Sequence, residues 1–266
     1  MRTIFFSIFS IIGIVTTAHT KIVEAPHFSS ILEHATDDAL ILIDIDDTLL
    51  IPQQMLGCDE WFCHRLQGYK KNQISNPLEK ALAEWEAIRH LTKMEIVEPG
   101  TNLIVKTLQE KNKFVMGLTT QGLALATRTS IQLNENEIDL KASSPFSEDV
   151  YFLNNHHGVL YRNGILFTSG SHKGKALFTF CEKTGLSPQK IVFINDKATH
   201  LAEIEMEAEK RGVEFIGLRY AYSDEKKARF SPEIADIQFT HSSFNKILSD
   251  EEAKQICKAA LQPIEN

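Results

Sequence analysis

Three acids fall within four positions at the end of an apolar run, ALILIDIDDTLL over residues 39–50, and this stretch restricts the fold more than any other. Ala39 to Asp44 read as a short buried strand, the pattern of a central parallel strand covered on both faces. Aspartate is depleted in strands, and a buried charge is costly unless paired or bound to a metal. Ligands of open parallel sheets gather outside the carboxyl ends of the strands. Asp44 and Asp46, two residues apart, therefore point at one reacting centre. Thr48 and Leu49 complete an Asp-x-Asp-x-Thr-Leu pattern that a polar loop has no reason to carry.

This pattern resembles the first motif of the haloacid-dehalogenase-like hydrolases. The resemblance implies that Asp44 is the nucleophile that forms an aspartyl-phosphate. Asp46 then protonates the leaving oxygen and later activates water. Halide leaves without a proton, so the second acid favours phosphoryl transfer over dehalogenation. Candidates for the family's remaining motifs follow in order. KFVMGLTTQG, residues 113–122, is an apolar strand ending in hydroxyls; Thr119 is the expected phosphate-binding hydroxyl and Thr120 its adjacent rival. SHKGKAL, residues 171–177, offers Lys173 and Lys175. Lys173, in a Lys-Gly pair opening an apolar helix, is the expected phosphate-binding cation.

KIVFINDKATHL, residues 190–201, is another strand ending in an acid and resembles the fourth motif, which places Asp196 on a metal. Relatives often carry further acids where this chain has Asn195 and His200. Mg²⁺ accepts few carboxylates besides water and phosphate oxygen, so Asp44, Asp196 and the Asp46 carbonyl suffice as its protein ligands. Asn195 and His200 are expected behind them. No histidine or cysteine pair near these acids has a zinc spacing.

The order of strands and helices implies an α/β fold with a doubly wound parallel sheet. Residues 21–50 and 100–266 are expected to form this haloacid-dehalogenase-like, Rossmann-like core, and residues 51–99 a mainly helical cap. Short helices are expected over Ser29–His34 and Gly100–Lys111, a longer one after Asp196 through Arg211, and a last one from an N-cap at Ser249. In the insertion, Leu78, Leu82, Trp85, Ile88 and Leu91 recur at helical spacing, so residues 77–93 should form an amphipathic helix with Pro77 at its start and this stripe packed as core. The preceding GCDEWFCHRLQGYKK offers Trp61, Arg65, Lys70 and Lys71 as side chains that could read a substrate, or simply pack and solvate a helix. Asn163-Gly164 between apolar runs signals a β-hairpin. His156 and His157 read as loop residues.

Arg2, the apolar run Ile4 to Val15 and the small residues through Ala18 resemble a secretory signal peptide over residues 1–20. Twelve residues span about 18 Å as a helix, short of the roughly 30 Å hydrocarbon layer. A periplasmic or secreted protein with no stable membrane anchor is therefore expected. Removal of residues 1–20 takes Arg2 as its one charged side chain and leaves 27 basic against 35 acidic residues, which argues against nucleic-acid partners. Four cysteines allow disulfides in an exported chain, and Cys58 and Cys63, five positions apart, allow a local staple; free thiols are the other reading.

Within the superfamily, LGCDEWF after the first motif and VEPG before the second resemble a group of exported bacterial proteins. The expected function is a Mg²⁺-dependent phosphatase or phosphotransferase acting on a small phosphorylated substrate. The alternative is a catalytically weak fold that binds an envelope or host partner.

Overall fold

The computed structural model describes residues 19–111, 114–241 and 247–260; the apolar amino-terminal run read as a signal peptide lies outside them. The described chain opens with a strand, β1 (Thr20–Ala25), and a 3₁₀ helix over Phe28–Glu33 that buries Phe28 and Ile31. β2 (Leu40–Ile43) is wholly buried. The insertion follows, comprising β3 (Leu50–Pro52), α1 (Asp59–Lys71), α2 (Pro77–Leu91) and β4 (Met94–Ile96). β3 and β4 pair antiparallel, Leu50 opposite Ile96, and tie the insertion at its base. Next come α3 (Thr101–Lys111), β5 (Phe114–Thr119) and α4 (Ala126–Glu135), then three short strands, β6 (Val150–Asn154), β7 (His157–Arg162) and β8 (Ile165–Phe167). The remainder is α5 (Lys173–Thr184), β9 (Lys190–Asn195), α6 (Ala198–Arg211), β10 (Glu214–Tyr220), α7 (Asp224–Ala228), α8 (Pro232–His241) and α9 (Asp250–Ala260).

Eight strands form the main sheet in the order β1-β10-β9-β2-β5-β8-β7-β6. The first six run parallel, and β7 and β6 add an antiparallel edge. Alternate residues of β2 serve two cores. Ile41 and Ile43 pack with Val105 and Leu108 of α3 and Leu133 of α4, whereas Leu40 and Leu42 pack with residues of α5 and α6 such as Leu177 and Ile204. The fold is α/β with a doubly wound, mostly parallel sheet. From β2 the chain proceeds to β5 and β8 on one side, then crosses to β9 and β10 on the other. This reversal opens a crevice at the carboxyl ends of β2 and β9, where such sheets bind ligands.

Local chemistry explains the flanking elements. Pro77 opens α2 at a position where a missing N–H costs nothing. The helix stops at Leu91, two residues short of the expected end, where Thr92 turns extended and its hydroxyl donates to the Ile88 carbonyl at 2.8 Å. Its apolar stripe is not core throughout. Trp85 and Ile88 are buried, but Leu78 and Leu82 are 47% and 39% exposed. Asn163-Gly164, both at positive φ, form the expected hairpin turn between β7 and β8, and a Cβ at Gly164 would lie 2.2 Å from the Leu140 carbonyl oxygen. A second turn of the same kind, Asn155-His156, joins β6 to β7. His157 is thus the first residue of a strand and not part of a loop. At the last helix, Ser249 Oγ accepts the Glu252 N–H and the Glu252 carboxylate accepts the Ser249 N–H, a reciprocal cap.

The staple between Cys58 and Cys63 does not form: all four cysteines are free. Cys58 is the N-cap of α1, its sulfur accepting the Trp61 N–H at 3.3 Å, and Cys63 lies more than one turn further along the helix and is exposed. The insertion contributes Leu56, Trp61, Trp85 and Ile88 to a small separate core, which Leu125 and the α8 residue Ala235 complete. Phe239 of α8 packs its ring 5.4 Å from that of Trp61. The helical layer above the sheet therefore includes α8 as well as α1 and α2.

Candidate active site

Asp44 is the residue after β2, and its N–H donates to the Ile194 carbonyl of β9 at 3.1 Å, which fixes the backbone at the crevice. Lys173, at the start of α5, is fully buried, and its Nζ donates to Asp44 Oδ1 at 2.6 Å and to the Leu118 carbonyl at 3.1 Å. The Lys-Gly pair has a packing reason. A Cβ at Gly174 would lie 2.1 Å from the Glu203 carbonyl oxygen, so only glycine lets α5 lie this close to α6. Lys175 is exposed. Burial raises the Asp44 carboxyl to about 7; Lys173 opposes the shift, and Asp196 and Asp46 add to it.

Asp46 stands at the cavity with each carboxylate oxygen held. Arg89 of α2 donates to Oδ1 at 2.5 Å and Gln121 to Oδ2 at 2.9 Å. Arg89 is itself buried, its guanidinium over the Trp85 ring at 5.0 Å, while Thr129 donates to the Gln121 carbonyl oxygen at 2.5 Å. Asp196 follows β9, with its N–H donating to the Thr48 hydroxyl at 3.1 Å, so the first and fourth sequence motifs meet directly. Lys227 of α7 donates to Asp196 Oδ2 at 2.8 Å; Asp196 Oδ1 is buried with no hydrogen-bond partner, as is Asp47 Oδ2. Asp47 takes a positive φ of 58°. Burial, reinforced by Asp59 and Asp196, holds its carboxyl well above the ordinary range.

Asn195 is buried and turns its carbonyl oxygen to the Lys197 N–H at 2.7 Å, with its amide 3.5 Å from His200 Nδ1. Burial, aided by Lys173 and Lys197, lowers the His200 imidazole to about 3, which keeps it neutral. Lys197 pairs with Asp59 at the start of α1. Burial presses the Lys197 ammonium down, but Asp59 and Asp196 outweigh it and hold the group above its ordinary value.

Asp44 and Asp46 open onto a cavity of about 420 Å³, which the buried Lys173 and Asp196 do not line. Asp44, Asp46, Lys197 and His200 line its polar end; Phe62, Leu78, Leu82 and Trp85 form the insertion's wall. Of the two expected hydroxyls, Thr120 lines the cavity. Thr119 is buried, its Oγ1 accepting the Gln121 N–H at 3.1 Å. Across the cavity, His157 donates from Nδ1 to the Ser169 carbonyl at 2.9 Å, which leaves Nε2 as an acceptor in the neutral ring. The basic candidates of α1 do not line this space. Arg65 pairs with Glu84 at 2.9 Å, and Lys70 and Lys71 are exposed.

Arg89, Gln121, Lys197 and Lys227 were not singled out from the sequence. For Arg89 a signal existed: an arginine follows Trp85 by four positions on the face that also carries Ile88, where a charge needs a partner. Among the described residues, no three His, Cys, Asp or Glu side chains converge as a metal-holding group. The free oxygens of Asp44 and Asp196 nevertheless make an oxygen-only donor pair, and the orphaned Asp196 Oδ1 is a buried acceptor that a hard cation would satisfy. Cys63, exposed on the cavity wall, should react with a bulky maleimide in the folded protein and block the cavity, whereas buried Cys58 and Cys181 react only after denaturation. Mass spectrometry of native and denatured samples distinguishes the two classes.

The family model described as "Protein of unknown function (DUF2608)" matches residues 24–254. A Chlamydia pneumoniae protein named provisionally as an outer membrane protein is 26% identical over 215 residues, 80% of each chain. A Chlamydia muridarum protein of the same name is 26% identical over 235 residues, 88% of this chain and 87% of its own. Among solved structures, a haloacid dehalogenase-like hydrolase from Streptococcus pneumoniae aligns at a TM-score of 0.42 and 12% identity, covering 73% of this chain and 99% of that one.

Proposed function

This chain belongs to the family of proteins of unknown function DUF2608, and we propose that its crevice is the active site of a haloacid-dehalogenase-like phosphatase acting on a phosphomonoester. The reading is carried by the buried Lys173–Asp44 contact of 2.6 Å beside a second carboxylate, Asp46. A fold gains little from burying such a pair, which well-packed apolar residues would often replace without loss. A nucleophile beside a cation for phosphate oxygens gives the pair a chemical purpose.

In this reading an Asp44 oxygen attacks phosphorus and forms an aspartyl-phosphate as the ester P–O bond breaks. Asp46 gives its proton to the departing oxygen, and Arg89 and Gln121 stabilise the carboxylate that results. Asp46 then takes a proton from water, whose oxygen attacks phosphorus, releasing phosphate and restoring Asp44. Lys173 offsets charge on the phosphoryl oxygens, and the Thr120 hydroxyl, or that of Thr119 behind it, donates to one of them. The apolar wall from the insertion limits access of bulk water to the intermediate. Water is the default acceptor.

Mg²⁺ is the proposed cofactor, held by Asp44, Asp196 and the Asp46 main-chain carbonyl. When bound, it supplies positive charge that draws a phosphate oxygen in and favours the ionised form of Asp44. Asp196→Asn should raise the Mg²⁺ concentration needed for half-maximal activity about tenfold or more, and Asn195→Asp should lower it. Titration of aryl phosphate hydrolysis checks this; activity that survives chelation, or an unchanged midpoint for Asp196→Asn, overturns the metal assignment.

We place the protein outside the cytoplasm, periplasmic or secreted. The names of the chlamydial relatives and the apolar run after Arg2 support that placement. No helix among the described residues is long and apolar enough to cross a membrane.

A further inference from the structure

The insertion presents one face of α2 to the cavity, where Leu78, Leu82 and Glu86 recur at four-residue spacing with Trp85 beside them. Two leucines, 47% and 39% exposed, line a concave site rather than packing into the core. Apolar surface in such a position is stabilised when a ligand's apolar body removes it from water. Phe62 of α1 continues the wall.

Charge narrows the ligand further. Among the described residues lining the cavity, Lys197 is the only lysine or arginine, and its ammonium is engaged by Asp59. Asp44, Asp46, Asp59 and Glu86 line the same space. Glu86 lines the cavity from α2, close to the Gly122 backbone, where a Cβ would meet its Oε1 at 2.3 Å. It makes no hydrogen bond or ion pair with any described residue. Burial raises its carboxyl and His90 opposes the shift. Asp44, Asp46 and Asp59 are paired with Lys173, Arg89 and Lys197, so a second phosphate or a carboxylate on the leaving group would meet the unpaired Glu86 without a free cation among the described lining residues to receive it. A donor N–H or O–H would find Glu86.

We infer that, given the phosphatase reading on which this rests, the substrate is the phosphate monoester of an apolar alcohol or phenol that bears no second negative charge and directs an ammonium or hydroxyl group to Glu86. The apolar body lies along Leu78, Leu82 and Phe62, and the phosphate reaches Asp44. Sugar bisphosphates and nucleotides bearing a further phosphate are disfavoured by Glu86 and by the lack of a free cation among the described lining residues.

Three probes that share one ring test this: para-aminomethylphenyl phosphate, phenyl phosphate and para-carboxyphenyl phosphate, assayed with Mg²⁺ for kcat/KM. The expected order runs from the cationic to the anionic probe, with about tenfold or more between the extremes. Glu86→Gln should compress that ratio, and Glu86→Lys should invert it. Leu82→Asp should lower kcat/KM for phenyl phosphate relative to acetyl phosphate, whose leaving group has little apolar surface. Turnover of all three probes with no preference, or a ratio unmoved by either Glu86 variant, overturns this inference and leaves the phosphatase reading standing. Failure of the wild-type protein to hydrolyse any probe, across a Mg²⁺ titration, overturns the phosphatase reading and this inference with it.

Discussion

Asp44→Asn should lower phosphate release at least about a thousandfold, because a carboxamide of nearly the same shape is a poor nucleophile. It should also destabilise the protein, an effect that only the packed structure reveals. Lys173 is fully buried and donates to Asp44 at 2.6 Å, so a neutral carboxamide in place of that carboxylate leaves an ammonium in the interior without its counter-ion. Breaking a buried pair on one side costs about 3–5 kcal/mol. The two effects separate in a double variant. Asp44→Asn with Lys173→Met should recover most of the lost stability in thermal denaturation and none of the activity. Near-wild-type turnover in purified Asp44→Asn protein would end the assignment of Asp44 as nucleophile.

Arg89→Met should reduce kcat about a hundredfold on an alkyl phosphate and much less on a nitrophenyl phosphate. Arg89 touches no substrate in this scheme; it positions Asp46, whose Oδ1 it holds at 2.5 Å while Gln121 holds Oδ2. General acid–base catalysis contributes about a hundredfold or more when the group is placed within hydrogen-bond reach, and small misplacements remove much of that. A poor leaving group depends on proton donation, and a good one hardly does. The difference in loss between the two esters is therefore the diagnostic reading, with Arg89→Lys recovering part of it. A uniform loss across both esters would make Arg89 a purely structural residue of α2.

The parts of the site set by strand ends were legible in the sequence. Asp44, Asp196 and the hydroxyls at the end of β5 stand where buried aliphatic runs stop, and the parallel sheet brings those ends together. Lys173 was legible through its Lys-Gly context, and the close passage of α6 over Gly174 explains that context. What could not be read was the partner of each charge. Arg89 lies 43 positions from Asp46 and Lys227 lies 31 from Asp196, so only the packed insertion and α7 reveal those pairs. The α2 stripe misled for a related reason. Periodicity separates an apolar face from a polar one but does not say whether a leucine on that face meets core or cavity, and Leu78 and Leu82 meet cavity. β1 and β6 escaped notice because Thr20–Ala25 and Val150–Asn154 mix polar and apolar residues, as edge strands do.

Two charges of the helical insertion cross to the segments that follow β2 and β9, Arg89 to Asp46 and Asp59 to Lys197, and the first of them ends on a proposed reacting group. Asp46, the proposed acid and base, thus doubles as a fastener for the roof above it. An ancestor that gave up turnover could not simply discard Asp46, because the guanidinium left behind in α2 would be stranded in a buried layer. Decay of function in such a lineage would have to travel through paired replacements. An acid in this crevice is consequently held by architecture as well as by chemistry, whereas the exposed Leu78 and Leu82 can be exchanged without stranding a buried charge.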